Sequence, residues 1–134
     1  MSQLPDDFRL LDGLRVLVLE DEALIAMDVE QICYDNGAAG VITVRDLNEI
    51  DPDAITAMAD VAIVDLMLGG VSTLDFARRL SETGVPFVFA SGYTDVGELI
   101  AAFPDIALIA KPYAGADLVE AVAAACGRKP ATPA

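Results

Sequence analysis

Two adjacent carboxylates, Glu20-Asp21, follow directly on the apolar run Val16-Leu17-Val18-Leu19, and a third, Asp65, follows directly on Val61-Ala62-Ile63-Val64. Two further apolar runs end in polar groups of another kind. Pro86-Phe87-Val88-Phe89-Ala90 leads into Ser91-Gly92, and Leu108-Ile109-Ala110 leads into Lys111-Pro112. Like charges held close in a cleft resist joint ionisation, so an acid cluster of this kind calls for a cation. Oxygen-only ligands, in a chain without a histidine, suit Mg²⁺ or Mn²⁺ and not zinc. An acid pair, a lone aspartate, a hydroxyl and a lysine form a set for phosphoryl transfer: metal holder, nucleophile, hydrogen-bond donor and charge neutraliser. Each residue alone has a plainer reading, because Asp is common at helix starts and in loops. The combination points to a site.

The elements that must position these groups follow from the patterning. From Leu14 onward, short apolar runs alternate with helix-period stretches, as expected of an α/β chain whose strands form a doubly wound, five-stranded parallel sheet. Strands are expected at Arg15–Leu19, Gly40–Val44, Val61–Val64, Pro86–Ala90 and Ala107–Ala110. In such a sheet, ligands collect beyond the carboxyl ends of the strands, which is where the acids, Ser91 and Lys111 stand. Helices are expected from Glu22 to Asn36, with Ile25, Val29 and Ile32 on one face and Gly37 as the stop. A second spans Leu47 to Ala59 but is weakened by Pro52, with a start only at Pro52 the alternative. A third spans Ser72 to Glu82, opening on a Ser72/Asp75 variant of the capping box. The stretch from Val96 to Phe103 offers barely two turns, so the fourth helix is expected to be short or mobile. The fifth runs from Gly115 to Cys126.

The 134 residues, 54% of them hydrophobic, fit one domain over residues 13–127, with tails at 1–12 and 128–134. A formal charge of -14 repels phosphate backbones and anionic membranes, which excludes nucleic acid as a partner. The charge otherwise reads as a solubilising surface. Cys33 and Cys126 have no metal-ligand spacing and read as buried thiols of a reducing compartment. The N-terminus is not a secretory signal, and no apolar run is long enough to span a bilayer. A cytoplasmic protein is expected.

Glu20-Asp21, Asp65, Ser91 and Lys111-Pro112 resemble the signature of the receiver domains of two-component response regulators, over roughly Leu14 to Cys126. The segment Pro86-Phe87-Val88-Phe89-Ala90-Ser91-Gly92-Tyr93 is also similar to the Pro-Phe-x-Phe-Ala-Thr-Gly-Tyr motif of a single-domain subgroup, the FAT GUY regulators; Ser91 keeps the hydroxyl of the replaced Thr. The resemblance implies a flavodoxin-like fold in which Asp65 accepts a phosphoryl group from a sensor histidine kinase or histidine phosphotransferase. It implies Mg²⁺ held by Asp21, Asp65, the Met67 carbonyl and, through water, Glu20. Lys111 and Ser91 would each bond a phosphoryl oxygen. The Lys111–Pro112 peptide is cis in this family, a state proline makes accessible.

One position departs from the family pattern. Receivers place an aromatic switch residue three positions before the lysine, and here that residue is Leu108. Tyr93 is the candidate substitute, with packing at a loop an equal reading of its amphipathic side chain. Tyr113 reads as packing and Arg78-Arg79 as a solvated face; Gly69-Gly70 reads as an ordinary turn first and as a close backbone approach to the metal or a partner second. With no output domain expected after Cys126, the event would be read out by altered protein contacts or by competition for phosphate. The chain would then be no enzyme beyond its own phosphorylation and dephosphorylation. Two other readings stand beside this one. A degenerate receiver would bind proteins without phosphorylation. A metal-dependent phosphatase would need a general acid two residues after its nucleophile, where this chain has Met67.

Overall fold

A computed structural model of the chain describes residues 10–91, 106–110 and 115–127. Five strands, β1 (Arg15–Leu19), β2 (Gly40–Val44), β3 (Val61–Asp65), β6 (Phe87–Ser91) and β7 (Leu108–Ala110), form one parallel sheet in the order β2-β1-β3-β6-β7. Two short strands, β4 (Met67–Leu68) and β5 (Val71–Ser72), pair antiparallel beside it. The helices are α1 (Ala23–Asp35), α2 (Ile55–Met58), α3 (Leu74–Thr83) and α4 (Gly115–Ala125).

The strands read as continuous apolar runs because both faces of the sheet are covered. Alternate residues then feed two separate cores. Val16 and Val18 of β1, Val61 and Ile63 of β3, and Val88 and Ala90 of β6 pack with Val29 and Cys33 of α1 and with Leu118 and Val122 of α4. Their neighbours Leu17, Leu19, Ala62, Val64, Phe87 and Phe89 pack on the other side with Ile55 of α2 and with Phe76 and Leu80 of α3. The expected doubly wound architecture is therefore present.

Several expectations are corrected. The second helix does not run from Leu47 to Ala59. It is two 3₁₀ turns, Leu47–Glu49 and Pro52–Ala54, followed by the single-turn α2. Asp46 accepts a hydrogen bond from the Asn48 amide at 2.8 Å, and Asp51 from the Asp53 amide at 2.9 Å. These local side-chain bonds give the backbone an alternative to the helical ladder. The third helix starts at Leu74, because Ser72 belongs to β5 and its hydroxyl accepts from the Leu74 amide at 3.3 Å. Leu11, placed in the expected N-terminal tail, is 1% exposed and part of the core under α1. Strand β3 reaches Asp65, and β6 runs one residue later than expected, to Ser91. The expected helix at 96–103 and the C-terminal tail at 128–134 lie outside the described residues.

Candidate acidic site at the sheet edge

Strand register brings the acids together. Leu19 pairs with Val64, so Glu20 and Asp65 are the next residues on adjacent strands at the same level. Asp65 in turn pairs with Ala90, which sets Ser91 one step beyond it. Ser91 pairs with Ala110, the residue that precedes Lys111 in the chain. Glu20 is 1% exposed, Asp65 6% and Ser91 3%, and Asp21 is half-buried at the rim. One carboxylate oxygen from each of Glu20, Asp21 and Asp65 lies within 4.8 Å of the others. Met67, Ser91 and the three acids thus fall in described parts of the chain, whereas Tyr93, Lys111 and Pro112 lie outside them.

Backbone and side-chain bonds hold this edge in shape. The Glu20 amide donates to the Val44 carbonyl at 3.0 Å, and Glu20 itself accepts from the Glu22 amide at 3.1 Å, which fixes the turn into α1. The Leu66 amide continues the ladder past the end of β3, donating to the Ala90 carbonyl at 2.9 Å. The Met67 amide reaches back to Asp65 Oδ1 at 3.4 Å, a long bond.

Two more groups shape this edge: the Gly69-Gly70 pair, expected above chiefly as a turn, and Thr73, which the sequence does not mark. Between β4 and β5, Gly69 and Gly70 have φ of 59° and 82°, the paired positive values of a two-residue hairpin turn that glycine adopts without a steric penalty. This is more than an ordinary turn, because the Gly69 amide donates to Asp21 Oδ2 at 2.9 Å. Thr73, fully buried at the start of α3, does not cap that helix with its side chain. Its hydroxyl donates to the Asp65 carbonyl at 2.6 Å and approaches the Leu66 carbonyl at 3.0 Å. The Gly-Gly pair between two short extended stretches signals the hairpin. Nothing in the chain's pattern marks Thr73.

The donor set fits a hard divalent cation: three carboxylates, no sulfur or nitrogen ligand, and a partly open rim at Asp21. Among the described residues no thiolate joins the cluster, and the chain has no histidine, so the set lacks the sulfur and nitrogen donors that zinc sites favour. A separate cavity of about 460 Å³, lined by Ser81, Pro86, Phe87, Ile106 and Ala121 among others, contains no titratable side chain. On α1, immediately after the acid pair, Leu24 and Met27 stand one turn apart with 81% and 66% of their surface exposed.

No protein-family model matches the chain. Over 79 residues it is 35% identical to the alkaline phosphatase synthesis transcriptional regulatory protein SphR of Synechococcus elongatus, a match spanning 53% of this chain and 31% of that protein. Among solved structures, the chain is similar to the signal receiver domain of a modulated diguanylate cyclase from Desulfovibrio desulfuricans, with 26% identity and a TM-score of 0.71. That alignment covers 87% of this chain and 95% of the other. A response regulator receiver protein from Burkholderia phymatum gives 23% identity and a TM-score of 0.73, covering 88% and 98%. A structure described as a putative response regulator from Chloroflexus aurantiacus gives 21% and 0.74, covering 87% and 100%. The architecture is that of a response-regulator receiver domain, the type of module used in two-component signalling. These neighbours do not single out the FAT GUY subgroup.

Proposed function

We propose that the chain accepts a phosphoryl group on Asp65 from a phosphohistidine partner, in the presence of Mg²⁺, and passes the signal on through altered protein contacts or as a phosphate sink. One observation carries this reading: three carboxylates from β1 and β3 converge within 4.8 Å at the carboxyl edge of a parallel sheet. In the reaction a carboxylate oxygen of Asp65 attacks phosphorus, the nitrogen–phosphorus bond of the donor breaks with its electron pair returning to the imidazole, and an acyl phosphate remains on Asp65. The chain thus modifies itself and turns over no external substrate.

Asp21 and Asp65, with Glu20 through water and the carbonyl of Met67, are the groups that would hold Mg²⁺. Once bound, the ion would offset the charge gathered on the phosphoryl oxygens. The buried hydroxyl of Ser91, one step past Asp65 in register, is suited to bond a phosphoryl oxygen; Ser91 pairs with Ala110, and Lys111 is the next residue in the sequence. Tyr93, two residues after Ser91, is the candidate to follow that change, in place of an aromatic at Leu108. The exposed pair Leu24 and Met27 on α1 gives a phosphohistidine-bearing protein an apolar contact next to the acids.

The test is intact mass after incubation with acetyl phosphate and Mg²⁺. Wild type gains one phosphoryl group and Asp65→Asn gains none. Absence of a gain in both proteins would overturn the proposal in favour of phosphorylation-independent protein binding.

A further inference from the structure

The hairpin that follows Asp65 is joined to the acidic site at both of its ends. At its tip, the Gly69 amide holds Asp21 Oδ2 at 2.9 Å, a bond between residues 48 positions apart. At its base, the Thr73 hydroxyl bonds the carbonyl of Asp65 itself at 2.6 Å and lies 3.0 Å from that of Leu66, while the Thr73 amide donates to the Leu66 carbonyl at 3.1 Å. Thr73 has no solvent exposure, so no water can replace its hydroxyl without rearrangement. The peptide that carries the nucleophile and the carboxylate at the rim are therefore fixed to one six-residue unit, Met67–Ser72, and to the first turn of α3.

The geometry points to Thr73 and Gly69 as positioning residues that set the shape of the cation site through this hairpin. The inference rests on the proposed phosphoryl-acceptor reading and names what holds its ligands in place. Partners that orient metal-ligating groups cost about tenfold or more in metal affinity when removed. The Gly69 bond also leaves Asp21 with one oxygen occupied and the other available, so an ion drawn to Asp21 changes the charge on the acceptor of the Gly69 amide. Occupancy is thereby felt at the hairpin, whose outer strand displays Val71 to solvent.

The test compares Mg²⁺ affinity, by titration calorimetry, in wild type, Thr73→Val and Thr73→Ser, with thermal unfolding followed in parallel. Val keeps the shape and loses the hydroxyl; Ser keeps the hydroxyl. Thr73→Val is expected to bind Mg²⁺ about tenfold more weakly, and Thr73→Ser to restore affinity to near wild type. A merely structural role would lower the melting temperature of Thr73→Val and leave its Mg²⁺ affinity unchanged, which would overturn the inference. Should Thr73→Val fail to fold, wild type alone decides: the Gly69 amide resonance must shift along the same saturation curve as Mg²⁺ binding. A stationary Gly69 resonance in a protein that does bind Mg²⁺ would overturn it. Failure of wild type to bind Mg²⁺ at all would instead count against the phosphoryl-acceptor reading.

Discussion

At the amino end of the sheet, Arg15 opens β1 and Asp60 stands just before β3, and the two meet as a fork: Arg15 Nη2 and Nε donate to the two oxygens of Asp60 at 3.0 and 3.1 Å. The Arg15 amide joins the same carboxylate at 2.9 Å, and its remaining guanidinium nitrogen reaches the Ala57 carbonyl. At the carboxyl end the same two strands finish in Glu20-Asp21 and Asp65, where like charges gather and two of the three carboxylates are buried. Opposite charges close on one another and need nothing from outside. Like charges gathered at an edge suit a cation, and that difference between two ends of the same strands separates a structural contact from the proposed binding site.

The contrast can be attacked experimentally, beginning with the largest effect. Mg²⁺ at about a hundred times its dissociation constant should stabilise wild type by about 2.7 kcal/mol through preferential binding to the folded state. Asp21→Asn should lose most of that gain in urea unfolding, and a retained gain would place the ion elsewhere. A middle-sized effect concerns Cys33, a buried ionisable group away from both edges. Burial, with a smaller contribution from Glu30, pushes its thiol up from the ordinary 9.0 to about 12. The folded protein keeps this proton after the unfolded chain has released it. The contribution of Cys33 to stability is therefore intact below pH 9.0 and lost as pH rises toward about 12. In the native protein at pH 8, iodoacetamide should modify the half-buried Cys126 well before Cys33; equal rates by mass spectrometry would contradict that burial. The smallest effect belongs to Asp60→Asn. Its pair with Arg15 is exposed, so the melting temperature should fall only slightly, and less still at high salt.

How much of this was legible in the sequence varies by element. The sheet was, because strands buried on both faces must be continuously apolar, and their first polar residues then mark the edge where Glu20, Asp21, Asp65 and Ser91 stand. The second helix was not, because Asp46 and Asp51 bond their own local backbone, a choice that helical periodicity does not register. The hairpin was half legible. Gly69-Gly70 announced a turn, but the bond to Asp21 spans 48 positions and depends on the fold being complete. Thr73 was invisible for the same reason: its partners are backbone carbonyls, which every residue has.

Leu11 gives the start of the domain a mechanical character. Its side chain is seated in the core, its amide bonds the Asn36 carbonyl and the Gly13 amide bonds that of Gly37, each at 3.0 Å. A pull on the chain ahead of β1 meets this anchor first, and loads the end of α1 before it can shear β1 from its neighbours. The anchor stands at the amino end of β1, opposite to the end where Glu20 and Asp21 follow that strand, so the domain's start and its acidic edge are held by separate sets of contacts.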